Sequence, residues 1–208
     1  MDDLKRLRRG ILIDPADDHL RLVYADALEE AGDSERAELI RAQIRLAEMG
    51  PLSAYFFSGD PERAEFDRLR RRERALLAVR TATWMDWCRP LTTLSPFAAW
   101  DFRRGFVESV SLPLPEFMDY AEALFLAHPI TSVTLTDREP VVWLDGGWTF
   151  ISEAATWVRH SGNRHAFAPA ALARRLDGPH DTPELAQADL SRAAVAYGRS
   201  LAGLPPLK

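Results

Sequence analysis

One cysteine, Cys88, is all that the chain contains, which excludes an internal disulfide and a cysteine-rich metal cluster. Long apolar runs are missing too: no stretch approaches the roughly 20 residues that a bilayer-crossing helix needs. The N-terminal MDDLKRLRRGILID has no signal-peptide core or cleavage site and reads instead as an amphipathic helix, with Leu4, Leu7 and Ile11 on one side. Charge of a single sign is also lacking. The 26 Lys+Arg against 31 Asp+Glu leave a net charge of −5, which argues against general nucleic-acid binding while leaving room for a local basic patch. Of the five histidines only His160 and His165 lie close together, and a Ser-Gly-Asn loop separates them, so no metal site is read there. Cys88, between Trp87 and Arg89, has no activating motif and reads as an inert thiol. Serine-nucleophile elbows, glycine-rich phosphate loops and paired glycosidase-type motifs are absent. No catalytic residue, cofactor or metal is expected, and the cytoplasm is the default compartment.

What the chain does have is ordinary globular material, with 47% hydrophobic and 27% charged residues in a length of 208. That is enough for a good core, in one domain or two closely packed ones. Its clearest message runs from Asp14 to Gln43. Asp14 is a helix cap, Pro15 fits the first helical position, and Asp17 and Asp18 suit the positive end of a helix dipole. Leu20, Val23, Tyr24, Ala27, Leu28 and Ala31 recur at helical spacing. Gly32 supplies a left-handed stop, and Asp33 or Ser34 caps a second helix with Ala37, Ile40, Ile44 and Ala47 on one stripe, flanked by Leu39, Gln43 and Leu46.

Within this hairpin, Tyr24-Ala25-Asp26, Leu28-Glu29-Glu30, Gly32-Asp33 and Arg36-Ala37-Glu38-Leu39-Ile40-Arg41-Ala42-Gln43 resemble the short bacterial repeat-companion domain over about residues 1–50. That domain usually sits ahead of leucine-rich or similar repeats. Ala27 departs from the pattern, which has a bulky aromatic there, so another residue must fill the gap. The resemblance implies no activity. It implies a companion to repeats, and hence an interaction module.

Beyond Met49, Gly50 to Asp60 breaks the helices and carries Tyr55, Phe56 and Phe57, which either fold back on the core or face a partner. Asp60-Pro61-Glu62 opens a long helix to about Cys88, with Phe66, Leu69, Leu76, Leu77, Trp84 and Trp87 inward. Residues 89–98 form a linker. Phe106 to Leu112 alternates as a strand, Glu116 to His128 reads as a helix, and Ile130 to Thr136 as a second strand. Val110-Ser-Leu112 and Val133-Thr-Leu135 are one triplet repeated, at a spacing within the roughly 20–29 residues of a leucine-rich repeat. Val141 to Phe150 suggests a hairpin turning at Asp145-Gly146-Gly147. Helices follow near Ser152–Val158, Pro169–Leu176 and from Thr182-Pro183-Glu184, the last holding Leu185, Leu190, Ala193, Ala194 and Tyr197; the terminal GLPPLK is left as a tail.

The expected fold is α+β and mostly helical: an N-terminal helical bundle (1–88) packed on a small parallel strand-helix-strand element (99–140), with a hairpin and helices over 141–208. Three functional readings stand beside it. The first is a non-catalytic adaptor that binds another protein, with Tyr24, Asp26, Glu29, Glu30, Trp100 and Trp148 as candidate contacts. The acids among these, with Asp33, alternatively pair internally with Arg21, Arg36 and Arg41, and Gln43 is placed to reach a backbone group at the same corner. The second is a nucleic-acid-associated protein using the helix around residues 63–80, above all Arg70, Arg71 and Arg72, although interleaved Glu62, Glu65, Asp67 and Glu73 favour a solvated face. The third is an enzyme or small-ligand binder with a pocket among the six tryptophans, where core filling is the plainer role. No membrane partner is expected.

Overall fold

The computed structural model describes residues 2–50, 61–84, 98–136, 141–144, 147–150, 172 and 183–207. Among them are six helices: α1 (Asp2–Ile13), α2 (Asp18–Glu30), α3 (Ser34–Met49), α4 (Pro61–Trp84), α5 (Leu114–Ala127) and α6 (Pro183–Leu201). The strands are β1 (Ala99–Arg103), β2 (Phe106–Leu112), β3 (Ser132–Leu135), β4 (Val141–Leu144) and β5 (Gly147–Phe150). The fold is α+β and mostly helical. The chain divides into two compact units: Met1–Arg89 with Phe102–Val107, and Pro90–Asp101 with Glu108–Lys208.

In the first unit, α3 packs against α2 on one side and α4 on the other. It is therefore buried on more than one stripe, at Ala37, Leu39, Ile40, Ala42, Gln43, Ile44, Leu46 and Met49, while Ala47 is exposed. Leu7 and Ile11 of α1 join Tyr24, Ala25, Leu28, Ala37, Ile40, Ile44 and Phe106 in one core, with Ala27 partly buried against it. The hairpin between α2 and α3 closes as its residues dictate. Gly32 takes φ +90°, Gly32 N–H donates to the Glu29 carbonyl at 3.0 Å, and Asp33 N–H to that of Leu28 at 2.9 Å, a Schellman arrangement. Asp33 then caps α3 by accepting from Arg36 N–H at 3.3 Å.

Two expectations here are corrected. Helix α2 begins at Asp18 with Asp17 as its cap, accepting from Leu20 N–H at 2.9 Å, whereas Pro15 lies buried in the turn before it. Its inward face is Arg21, Tyr24, Ala25 and Leu28, so Val23 and Ala31 are exposed. The helix is rotated from the purely apolar reading because Arg21 occupies a core position.

The three-stranded sheet has the order β1-β2-β3. β2 and β3 run parallel, with Val110 opposite Val133 and Leu112 opposite Leu135, so the two triplets are neighbouring rungs. Thr136 N–H donates to the Leu112 carbonyl at 3.0 Å, which turns the alternate N–H groups of β3 away from β2; that of Val133 donates to Ser191 Oγ on α6 at 3.3 Å. The crossover helix α5 buries Phe117, Ala121, Leu124 and Phe125. It packs against α6, where the Tyr197 ring lies 6.3 Å from that of Phe117. Leu190, Ala193 and Ala194 of α6 are buried as expected, but Leu185 in its first turn is exposed. Past α6 the chain is tied down, because buried Arg199 donates to the Pro205 carbonyl at 2.6 Å and Leu204 is buried. β4 and β5 form an antiparallel pair with Trp143 opposite Trp148. The loop with Tyr55, Phe56 and Phe57, Trp87, Cys88, most of the linker, the helix near Ser152–Val158, His160 and His165 lie outside the described residues.

Candidate functional site

Two polar constellations organise the first unit. The inner one begins with a turn. β1 and β2 are joined through Arg104 and Gly105, whose φ values of +48° and +80° give the two left-handed centres of a type I′ hairpin. Only glycine fits the second position, since a Cβ there would stand 2.0 Å from Ile40 Cγ1. Three side chains hold this turn. Gln43 Oε1 accepts from Gly105 N–H at 2.7 Å, and Gln43 Nε2 donates to the Phe102 carbonyl at 3.0 Å and to Glu73 Oε1 at 2.8 Å. Fully buried Arg21 donates to the Arg104 carbonyl at 3.0 Å and the Pro15 carbonyl at 2.7 Å. Arg104 in turn pairs with Asp18 at 3.1 Å. Buried polar groups that satisfy one another in this way fix a single arrangement of helices and turn.

Gln43 therefore does serve backbone groups, but those of residues 102 and 105 and not the α2–α3 corner, because α3 turns this side chain toward α4 and the turn. From sequence, Arg21 is expected only as a partner for the acids at the hairpin corner, and Gly105 is not singled out. Their signals were an arginine inside an apolar helical stripe, and Arg-Gly between two alternating segments.

The outer constellation is an open groove of about 640 Å³ lined by residues of α2, α3 and α4, among them Glu29, Glu35, Glu38, Arg41, Arg45 and Arg72. Arg41 spans α3 to α2, with Asp26 at 2.6 Å and Glu29 at 2.7 Å, and these hydrogen bonds, Asp26 first, raise its pKa above the ordinary value. Arg72 grips Glu38 with both ends of its fork, at 2.8 and 2.6 Å, and this bond holds the Glu38 carboxyl below its usual range. Arg45 pairs with Glu65 at 3.0 Å and Arg80 with Glu35.

The arginines of α4 are thus not merely a solvated face. Arg63 meets Asp67, Arg70 meets Glu73, and Arg72 and Arg80 staple α4 to α3, whereas Arg68, Arg71 and Arg74 are exposed. Of the other candidate contacts, Asp26 and Glu29 pair internally through Arg41, and Glu30 is exposed. Tyr24 is buried with its ring 5.6 Å from that of Phe106. Trp100 is half-buried in β1 and Trp84 is buried; Trp148 lies in β5, and its side chain is outside the described residues. Glu29 and Arg72 line the same groove. Among the described residues no group of three or more His, Cys, Asp or Glu side chains is arranged to hold a metal ion, and no helix is long and apolar enough to cross a membrane. Comparison with protein-family models, curated proteins and solved structures found no match.

Proposed function

We propose that this chain is a non-catalytic interaction module, an adaptor that binds another protein through the α2–α3–α4 groove. One observation carries the reading: the groove is open and walled by charges of both signs, already arranged as exposed cross-helix pairs. Exposed pairs of this kind contribute about 0–1 kcal/mol each, so exchanging them for a partner's charges costs little. Mixed sign suits the polar rim of a protein interface better than a phosphate backbone, which calls for one sign over a long stretch. The resemblance of residues 1–50 to repeat-companion domains, and the side-by-side Val-x-Leu triplets of β2 and β3, support the same reading.

The test is affinity capture of the tagged chain from native lysate, with and without nuclease, alongside an Arg45→Glu/Arg68→Glu variant shown to be folded by circular dichroism. A stoichiometric protein recovered from both lysates, and lost with the variant, is the expected outcome. Recovery that depends on intact nucleic acid would transfer the function to the second reading. Capture of nothing, or of a partner indifferent to the variant, would overturn the groove.

A further inference from the structure

Phe106 is fully buried and carries two guanidinium groups, those of Arg21 and Arg36, each with Cζ 5.3 Å from the ring centroid. The two arginines differ in their hydrogen bonding. Arg21 donates to two carbonyls. The Arg36 guanidinium has no hydrogen bond or ion pair with any described residue, and its Nε is sealed from solvent without a partner. Neighbouring acids are engaged elsewhere: Asp33 accepts from the Arg36 backbone N–H, Glu35 pairs with Arg80, and Glu38 pairs with Arg72. Burial pushes the Arg36 pKa below its ordinary value; Tyr24 and Asp33 oppose that shift, and Arg8 of α1 adds to it.

A partly buried guanidinium whose Nε is sealed and which has no ion pair is costly, and proteins seldom keep one without a use. Tyr24 adds a second observation. Its ring lies 5.6 Å from that of Phe106, the same ring that the Arg36 guanidinium covers, and its hydroxyl makes no hydrogen bond to a described residue. We infer that the Arg36 guanidinium and the Tyr24 hydroxyl form the receiving site for a single oxyanion group, a carboxylate or a phosphate. A guanidinium offers parallel N–H donors that match two oxygens of such a group, and stacking on Phe106 fixes its plane in advance. The phenol supplies a further donor, and Arg8 strengthens the local positive potential. Arg36 and Tyr24 are not among the groove-lining residues, so this site stands or falls independently of the adaptor reading.

The experiment follows the Arg36 Nε–Hε resonance of the full chain by NMR during titration with sodium phosphate, sodium acetate and, at matched ionic strength, sodium chloride. The expected result is a saturable shift with phosphate or acetate and none with chloride; the anion that saturates first identifies the oxyanion the site prefers. Tyr24→Phe keeps the ring and should weaken that binding about fivefold. If all three salts move the resonance alike without saturation, Arg36 is only a clamp on Phe106 and the inference is overturned. An affinity unchanged in Tyr24→Phe overturns the two-donor site. The wild-type titration decides the first question even where a variant folds poorly.

Discussion

Gln43 Oε1 accepts the backbone N–H of Gly105 at 2.7 Å across 62 residues of chain, and its Nε2 donates to Glu73 at 2.8 Å. One amide thus ties α3, α4 and the β1–β2 turn together. Gln43→Leu should leave the Gly105 N–H and the Phe102 carbonyl without their partner and destabilise the fold by about 3 kcal/mol. Gln43→Glu keeps the acceptor but removes the donor to the Phe102 carbonyl and sets a carboxylate against Glu73, so its deficit should be larger. Urea unfolding of both variants checks this. Equal deficits would mean that the Glu73 contact contributes nothing.

The turn held by Gln43 is also sterically closed. Gly105→Ala places a methyl 2.0 Å from Ile40 Cγ1 at a φ of +80°. The expected cost is about 2–4 kcal/mol, from overpacking and from the left-handed backbone. Adding Ile40→Ala should not restore stability, because the backbone strain remains and a large core side chain has been lost. A double variant as stable as the wild type would show that the clash was the whole effect.

These two residues mark what the sequence could and could not reveal. Phe106–Leu112 was legible as a strand to the residue, and the Val110 and Val133 triplets as partners, because alternation is a local property. Gly32 and Asp33 were legible for the same reason. Arg21 was not, since its burial depends on a carbonyl 83 residues away, and apolar periodicity gives an arginine no weight as core. The start of α2 was misplaced because Asp14 and Asp17 are equally good caps locally, and it is Asp17 that accepts from Leu20 N–H. The groove was half visible. Glu29 and Arg72 were singled out, but the pairing of Arg72 with Glu38 spans 34 residues and no helical periodicity encodes it.

That pairing makes a signed prediction. The Arg72 hydrogen bond holds the Glu38 carboxyl below the usual carboxylate range in the folded protein, with burial opposing it. A carboxyl depressed on folding contributes stability above its unfolded pKa and loses it as pH falls through the folded one. Glu38→Gln should therefore lower the melting temperature slightly near neutral pH, and the gap to the wild type should close below about pH 4. The effect is small because both partners are about half exposed, 46% for Arg72 and 45% for Glu38, and added salt should reduce it. A gap that widens in acid would reverse the assigned sign.

Arg71 and Arg74 separate the adaptor reading from the nucleic-acid one without disturbing the staples. Reversing Arg72 would break the bond to Glu38 and confuse binding with stability, whereas Arg71 and Arg74 are exposed. Arg71→Glu/Arg74→Glu should change unfolding free energy by no more than about 0.5 kcal/mol, as surface changes away from packed features usually do. The same variant should behave like the wild type on a DNA or RNA column at low salt if the chain binds protein. If the α4 helix instead binds phosphate backbones, the wild type is retained, elutes with a steep salt dependence, and the variant elutes at much lower salt. Wild-type retention lost on this double reversal would displace the adaptor reading, since the exposed positive face of α4 would then be the working surface.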